Sequence, residues 1–446
     1  MTRENESGTM CGRLAGHVHG LRFDDIPADV IDQTKHHLVH DLGLAFGGRF
    51  EERGRQAARL VEILSPHGGD CTVIGQARRA AAVDAAFANC TLMTGLDDVL
   101  FPGGIHAGLV TIPLALALGE RERHSGREVL TAIVAAYDVM GKLSRPVWAW
   151  SATVPRRPTI AFGSFGAAAV SARLLGLDPG QTATALGYAA HSAMGLAVGA
   201  LATHYYSLLA RNGYMAALLA REGGVTSPVA LEGRFGFFDT FFGGLPGGID
   251  ASLDTLGETF EMSSATTKHY PGTGLNIVPV QLMIDLTREH ALTPDNVAKI
   301  RLDLPVEREN FASGHAAPPF GDAASAASSV RFHLAVVLLE GGPRDERYQQ
   351  FDNPEILEIV DRVEVRLVPG RPIRYARLQV TTVDGAECSA EGDTYVFPRA
   401  EWSSWLARDG ARLVGADKIG RLAELIGRLD DLDDISEVLA CTTPDE

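Results

Sequence analysis

The stretch from Ser164 to Leu196, "SFGAAAVSARLLGLDPGQTATALGYAAHSAMGL", constrains the fold more than any other part of the chain. It reads as two alanine-rich helices around a "GLDPGQ" turn, because alanine favours helix and glycine with proline interrupts it. Side chains this small let helices approach closely, as in a multi-helix core. Neighbouring text has the same character. "PADVIDQTKHHLVHDLGLAFGG" opens with Pro27, carries Val30, Ile31, Leu38, Val39 and Leu42 at helical spacing, and closes on Gly47 and Gly48. "ARNGYMAALLAREGGV" is a further helix that ends at Gly223 and Gly224. Helix-type text runs from about residue 13 to 245, and only "CTVIG" at 71–75 hints at a strand.

After about residue 262 the period changes. "NVAKIRLDLPV", "VDRVEVRLVPG" and "ARLQVTTVDGAECSAEG" alternate with period two, are rich in β-branched residues, and contain a turn at Asp384–Gly385. The helical pieces "PVQLMIDLTREH" and "SVRFHLAVVLLEGG" lie between them, which predicts an α+β second domain. From Glu401 the text is helical again, and this tail can return to pack on the first domain, making that domain discontinuous.

The 446 residues, 46% hydrophobic and 22% charged, suit a soluble protein of two domains with a large core. Against 40 Lys and Arg stand 56 Asp and Glu, a net charge of −16, and no basic stripe forms, so nucleic acid is not expected as a partner. Apolar runs such as "LVTIPLALALGE" break on glycine or charge too early to span a bilayer. Five scattered cysteines without a CxxC give no support to a zinc site and point to a reducing cytoplasm. Met1 to Gly12 lacks the pattern of a signal peptide.

Phosphate loops of recognised spacing, HExxH, GxSxG and acidic calcium loops are all missing from the sequence, which leaves side-chain acid–base chemistry. "GLDDVLFPGGIHAG", from Gly95 to Gly108, sets Asp97, Asp98 and His106 in a Gly- and Pro-containing connection between two apolar helices. Such a loop presents chemistry from a rigid scaffold, or it caps a helix. His106 is the best single candidate for moving a proton near neutrality, the alternative being a histidine bonded to a backbone carbonyl. Adjacent acids point in different directions, so at most one of Asp97 and Asp98 faces the same site as His106.

Lys268, in "TTKHYPGTGLN", is placed to bind a carboxylate, although an exposed lysine is the commoner state. His204, Tyr205 and Tyr206 form a polar knot that suits a site or a buried hydrogen-bonding cluster. Arg157 precedes a helix whose first turn can help hold an anion. His36, His37 and His40 share one helix, but no third metal ligand accompanies an i, i+4 pair, and no metal is expected.

Taken in order, "FDDIPADVIDQTKHHLVHDLGLAFGG", "TVIGQARRAAAVDAAFANCTLMTGLDD", "PTIAFGSFGAAAVSARLLGLDPGQTATALGYAAHSAMG", "NGYMAALLAREGGVTSPVALEGRFGFFDTF", "KHYPGTGLN" and "SSVRFHLAVVLLEGG" resemble the 2-methylcitrate dehydratase and cis-aconitate decarboxylase family, the MmgE/PrpD superfamily, over nearly the full length. The resemblance implies a mainly α fold: a large all-helical domain of residues 1–262 plus 400–446, with an α+β lid domain inserted at 263–399. It also implies a homodimer and a cofactor-free active site between the domains, with a small molecule as the only other partner.

The family's functional residues carry over in part. Asp97 and Asp98 match its paired acids, and His106 matches its loop histidine across a one-residue insertion. The earlier acid is Gly95 and the threonine position is Val99. A family histidine falls at Arg157, with Pro158 and Thr159 retained. Where the family has a lysine, this region offers His204, Tyr205 and Arg211. The lid motif keeps Lys268, Tyr270 and Pro271 but loses a histidine, with Asn276 close by; later, Ser329 is kept and a tyrosine becomes Phe332.

The implied chemistry is a lyase reaction, dehydration or decarboxylation, on a small carboxylate-bearing substrate in a rewritten site. His106, oriented by Asp98, would move the proton, with Lys268 and His204 completing the catalytic set. Asp97, Arg157, Thr159, Tyr205, Asn276 and Ser329 would hold the substrate. An isomerase, epimerase or cyclase acting on a less polar substrate in a specialised biosynthetic pathway is the second reading, favoured by Gly95, Val99, Phe101 and Phe332. A non-catalytic binding protein is the third.

Overall fold

The computed structural model describes residues 7–94, 105–147, 158–193, 204–267, 272–310, 316–343, 345–394 and 406–445. The protein is mainly α-helical, with small sheets. It divides into two compact units, Met1–Thr267 with Ala400–Glu446, and Lys268–Arg399.

In the first unit the principal helices are α1 (Met10–Gly20), α2 (Ala28–Gly48), α3 (Glu52–Leu64), α4 (Ala82–Met93), α5 (Ala107–Glu122), α6 (Gly126–Ser144), α7 (Pro158–Leu174), α8 (Pro179–His191) and α9 (Tyr205–Arg221). Local chemistry sets their limits. Ser125 and Glu128 make a reciprocal capping box at the start of α6. Asp178 and Gln181 do the same for α8, whose first residue is Pro179, so the "GLDPGQ" turn is a helix start built on its own side chains. The strand hint at 71–75 shrinks to a two-residue ladder, β1 (Cys71–Thr72) against β2 (Arg79–Ala80).

α7 is buried without a break from Thr159 to Ala172. A helix apolar all round must lie inside, and small residues let its neighbours close on it. A Cβ at Gly213 of α9 would stand 2.3 Å from Ala167 Cβ and 2.5 Å from the Ala168 nitrogen, too near for any side chain. Later in the chain, α13 (Ala416–Gly427) and the residues after it return to this core. Gly126 N–H donates to Leu432 O at 2.8 Å, Ile435 N–H to His124 O at 3.1 Å, and Gly75 N–H to Thr442 O at 2.8 Å. Leu422, Leu425, Leu429 and Ile435 bury with Leu38, Leu42 and Val129 in one core cluster.

The second unit holds α10 (Ile277–Glu289), β3 (Val297–Pro305), α11 (Val330–Glu340), α12 (Pro354–Val360), β4 (Val363–Val368), β5 (Ala376–Thr382) and β6 (Glu387–Gly392). Its sheet has the order β4-β3-β5-β6. β3 pairs parallel with β4, in the register Ile300↔Val363, and antiparallel with β5, as Leu302↔Leu378. Val297, Ile300, Leu302 and Leu304 turn one face of β3 to a core shared with α10 and α11. β5 and β6 form a hairpin whose turn places Gly385 at φ +87°, a conformation that favours glycine. All five cysteines are free, and no helix among the described residues is long and apolar enough to cross a membrane.

Candidate active site

In the helical unit the starts of α5, α7 and α9 come together beside the last turns of α4. His106 is the residue before α5, with φ −102° and ψ 71° outside the helical range. Its backbone N–H donates to Thr159 Oγ1 at 2.9 Å, and Thr159, in the first turn of α7, is buried. The half-buried His106 ring stands edge-on to Tyr206 of α9, with centroids 6.0 Å apart at 66°. Tyr206 in turn packs on Tyr205 at 4.1 Å. Three segments distant in sequence are thus fixed around one imidazole. The first N–H groups of α5 lie next to it, where a helix favours negative charge.

His204 is the residue before α9. Its Nε2 lies 2.7 Å from Gln56 Oε1 on α3, so Nε2 carries the hydrogen and the amide oxygen accepts. Nδ1 faces Thr91 Oγ1 of α4 at 3.5 Å, the outer limit of a hydrogen bond. Thr91 is closer to Ser207 Oγ, at 2.8 Å, and donates to Phe87 O at 3.1 Å. Nε2 of His204 is thus held by Gln56, while the Thr91 hydroxyl nearest Nδ1 gives its proton to Phe87 O. The bond to Gln56 ties the Tyr205–Tyr206 turn to α3 and fixes the ring with Nδ1 as its unprotonated nitrogen. Gln56 and Thr91 were not legible as part of the arrangement, because each sits in helical text without any local motif.

The other candidates in this unit, Asp97, Asp98 and Arg157, lie outside the described residues, as do Gly95, Val99 and Phe101. Lys268 of the second unit also lies outside them. The three histidines of α2 do share that helix, with His37 and His40 buried. Among the described residues no group of His, Cys, Asp and Glu is arranged to hold a metal ion.

Asn276 and Ser329 are brought near one another within the second unit, both buried. Asn276 Nδ2 donates to Ser328 O at 3.2 Å, and its Oδ1 accepts from Arg308 Nη2 at 3.1 Å. Arg308 also donates to Leu275 O at 2.9 Å, and complete burial pulls its guanidinium down to about 9. Ser329 Oγ donates to Ala316 O at 2.7 Å. These bonds bind loops to one another, so both side chains support the second unit from inside. Phe332 is likewise interior: it is wholly buried, with its ring 5.5 Å from Phe320 and 5.7 Å from Tyr348. It packs a core and does not supply the apolar cleft wall expected of it. Arg308 was missed because "VEREN" reads as exposed, charged text.

Comparison with known proteins agrees with this architecture. Residues 12–247 match the MmgE/PrpD N-terminal domain. The chain is 31% identical over 258 residues to a cis-aconitate decarboxylase-like protein of Aspergillus oryzae, covering 54% of this chain and about half, 53%, of that protein. It is 25% identical over 461 residues to a cis-aconitate decarboxylase of Homo sapiens, covering 95% and 92% of the two chains. A cis-aconitate decarboxylase of Aspergillus terreus is 25% identical over 400 residues, covering 81% and 80%. With the family domain matched over more than half of its length and diverged relatives aligned along most of the rest, the chain belongs to the MmgE/PrpD family.

Proposed function

We propose that this protein is a cofactor-independent lyase that acts on a small carboxylate-bearing substrate, with His106 as the group that handles the proton. The enzyme class is supported by relatives named cis-aconitate decarboxylase that align over most of both chains. The observation that carries the site is the placement of His106: backbone pinned to Thr159, ring set against Tyr206, at the start of a buried helix. In a decarboxylation, the bond to the carboxylate carbon breaks, its electron pair stays on the remaining carbon, and carbon dioxide leaves. An acid must then protonate that carbon. In a dehydration, a base removes a proton beside an acidifying group and an acid protonates the departing hydroxide. One imidazole can serve either half of such a reaction, as acid or as base. Thr159 fixes the backbone from which the ring projects and Tyr206 packs against the ring, which narrows the positions the imidazole can take.

The test is turnover and solvent-proton exchange followed by NMR in D₂O, with cis-aconitate, citrate and 2-methylcitrate presented to wild type and His106→Ala. The expected result is turnover of at least one carboxylate, with kcat reduced about 10²–10⁴-fold in the variant. An active substrate that His106→Ala processes like wild type would remove His106 from the mechanism. Silence on all three acids would remove the proposed substrate class.

A further inference from the structure

One face of α9 has no partner inside the helical unit. Leu209, Gly213, Ala216, Ala217 and Ala220 are buried, and Gly213 seats the helix directly on α7. The opposite face carries Leu208, 41% exposed, Met215, 42% exposed, and Leu219, 46% exposed. A single exposed apolar residue means little. These three stand at i, i+7 and i+11, which on an α-helix makes one row. No other helix among the described residues leaves three large apolar side chains in water.

Two opposite charges share that row. Arg211 and Glu222 are exposed and lie within the same arc of about 80° as the three apolar residues. Arg211, which the sequence offered in place of a family lysine, makes no hydrogen bond or ion pair among the described residues. Glu222 is the residue after the helix, with Arg221 Nε 3.6 Å from its Oε1 and its side chain 77% exposed. Such a loose surface pair contributes little. The row is therefore positive toward the start of α9 and negative at its end.

A row of this kind is complementary to itself. Let a second α9 lie antiparallel across the first, about a two-fold axis between Ala216 and Ala217. Arg211 then stands level with Glu222 of the copy, and Glu222 with Arg211 of the copy. At 1.5 Å of rise per residue, the same register brings Met215 within about 2 Å of the height of Leu219 of the copy. Leu208 falls at the level of Val225 of the copy, a residue 83% exposed just past the helix end. A parallel pairing would set Arg211 against Arg211 and Glu222 against Glu222, so the charges select the antiparallel one.

We propose that α9 is the centre of an interface between two copies of this chain, paired antiparallel through Leu208, Met215 and Leu219 and closed by an Arg211–Glu222 ion pair on each side of the axis. The family resemblance implies a homodimer without locating the contact; α9 supplies the surface, the direction and the register. The inference is independent of the reading of His106. It does bear on that site, because the pairing braces from outside the helix whose first turn sets Tyr206 against the His106 ring.

The experiment is sedimentation and light scattering of the full chain over a concentration series, in wild type, Met215→Glu, Arg211→Glu, Glu222→Arg and the double variant Arg211→Glu/Glu222→Arg. Wild type is expected at twice the mass of one chain. Met215→Glu places two carboxylates near the axis and should weaken self-association about 100-fold or more. Each single charge reversal sets like charges together at two places and should weaken it about tenfold or more. The double variant should recover wild-type association, since each ion pair forms again with its signs exchanged. All three positions are exposed, so circular dichroism and the urea midpoint should stay as in wild type. A monomeric wild type overturns the proposal. A dimer that Met215→Glu and both charge reversals leave intact is joined by another face, which overturns it as well. Weakened single variants without recovery in the double variant overturn the antiparallel register. Should Met215→Glu fail to fold, the charge variants decide alone.

Discussion

Among the described residues, each unit hydrogen-bonds a fully buried histidine to a fully buried tyrosine, and these two pairs are wired in opposite senses. In the α+β unit, His333 Nε2 donates to Ala327 O at 2.7 Å, so Nδ1 accepts the Tyr348 hydroxyl at 2.6 Å. That circuit is closed on neutral groups. In the helical unit, His37 Nε2 accepts from Gln33 and Nδ1 donates to Tyr137. Burial drives both imidazoles down, His333 to about 4 and His37 to about 3. The difference teaches that a buried His–Tyr pair has no fixed meaning. The partner of the second ring nitrogen decides which tautomer is held, so the imidazole accepts from tyrosine in one unit and donates to it in the other.

The largest expected effect comes from a glycine that seals the closed pair. Gly272 has φ +95°, and a Cβ there would lie 2.1 Å from Ala327 O and 2.8 Å from His333 Nε2. Gly272→Ala should cost about 3 kcal/mol or more, by backbone strain together with displacement of the carbonyl. A urea-unfolding midpoint equal to that of wild type would show that the second unit tolerates an open circuit. Next in size, Tyr348→Phe leaves His333 Nδ1 as an unmet acceptor and Tyr137→Phe leaves His37 Nδ1–H as an unmet donor. Each should cost about 1–3 kcal/mol. The comparison breaks if either variant unfolds at the wild-type urea midpoint.

The smallest effect is a pH slope. Both histidines stay neutral when folded and protonate near 6.5 when unfolded, so the unfolded chain binds more protons below that value. Stability should be complete above about pH 6.5 and decline as the pH falls toward 4. Each histidine contributes about 1.4 kcal/mol per pH unit within that window. His333→Gln should reduce the slope by one histidine's share. A slope unchanged in that variant would mean the ring is protonated in the folded protein.

The sequence made the helices visible because their apolar spacing and their caps are local properties. Pro27, Ser125 with Glu128, and Asp178 with Gln181 act within one turn of chain. The hairpin at Gly385 was visible for the same reason. Strand order was not: alternation in "KIRLDLPV" shows which face of β3 is buried, but nothing in it selects β4 as a parallel neighbour. The site divides along the same line. His106 stood out in a loop of glycine and proline, and Thr159 entered through the family pattern. The bond between His37 and Tyr137 was hidden inside "HHLVHDLGLAF" and "LTAIVAAYDVMG", where helical text shows burial but not a partner on another helix. Gln56 and Arg308 were hidden for the same physical reason, since a hydrogen bond spanning 148 residues leaves no periodic trace.

The return of residues after 400 to the helical core carries a consequence for the order of events during synthesis. Lys268–Arg399 form a continuous unit, so all of its partners have emerged before the tail is made. The helical unit begins first but cannot close then: Gly126 awaits Leu432, His124 awaits Ile435, and Gly75 awaits Thr442. Until α13 arrives, Leu38, Leu42 and Val129 lack part of their cover, and the nascent helices present an apolar face to water or to a chaperone. The part of the protein that carries His106 is therefore translated ahead of Lys268–Arg399 and sealed after it.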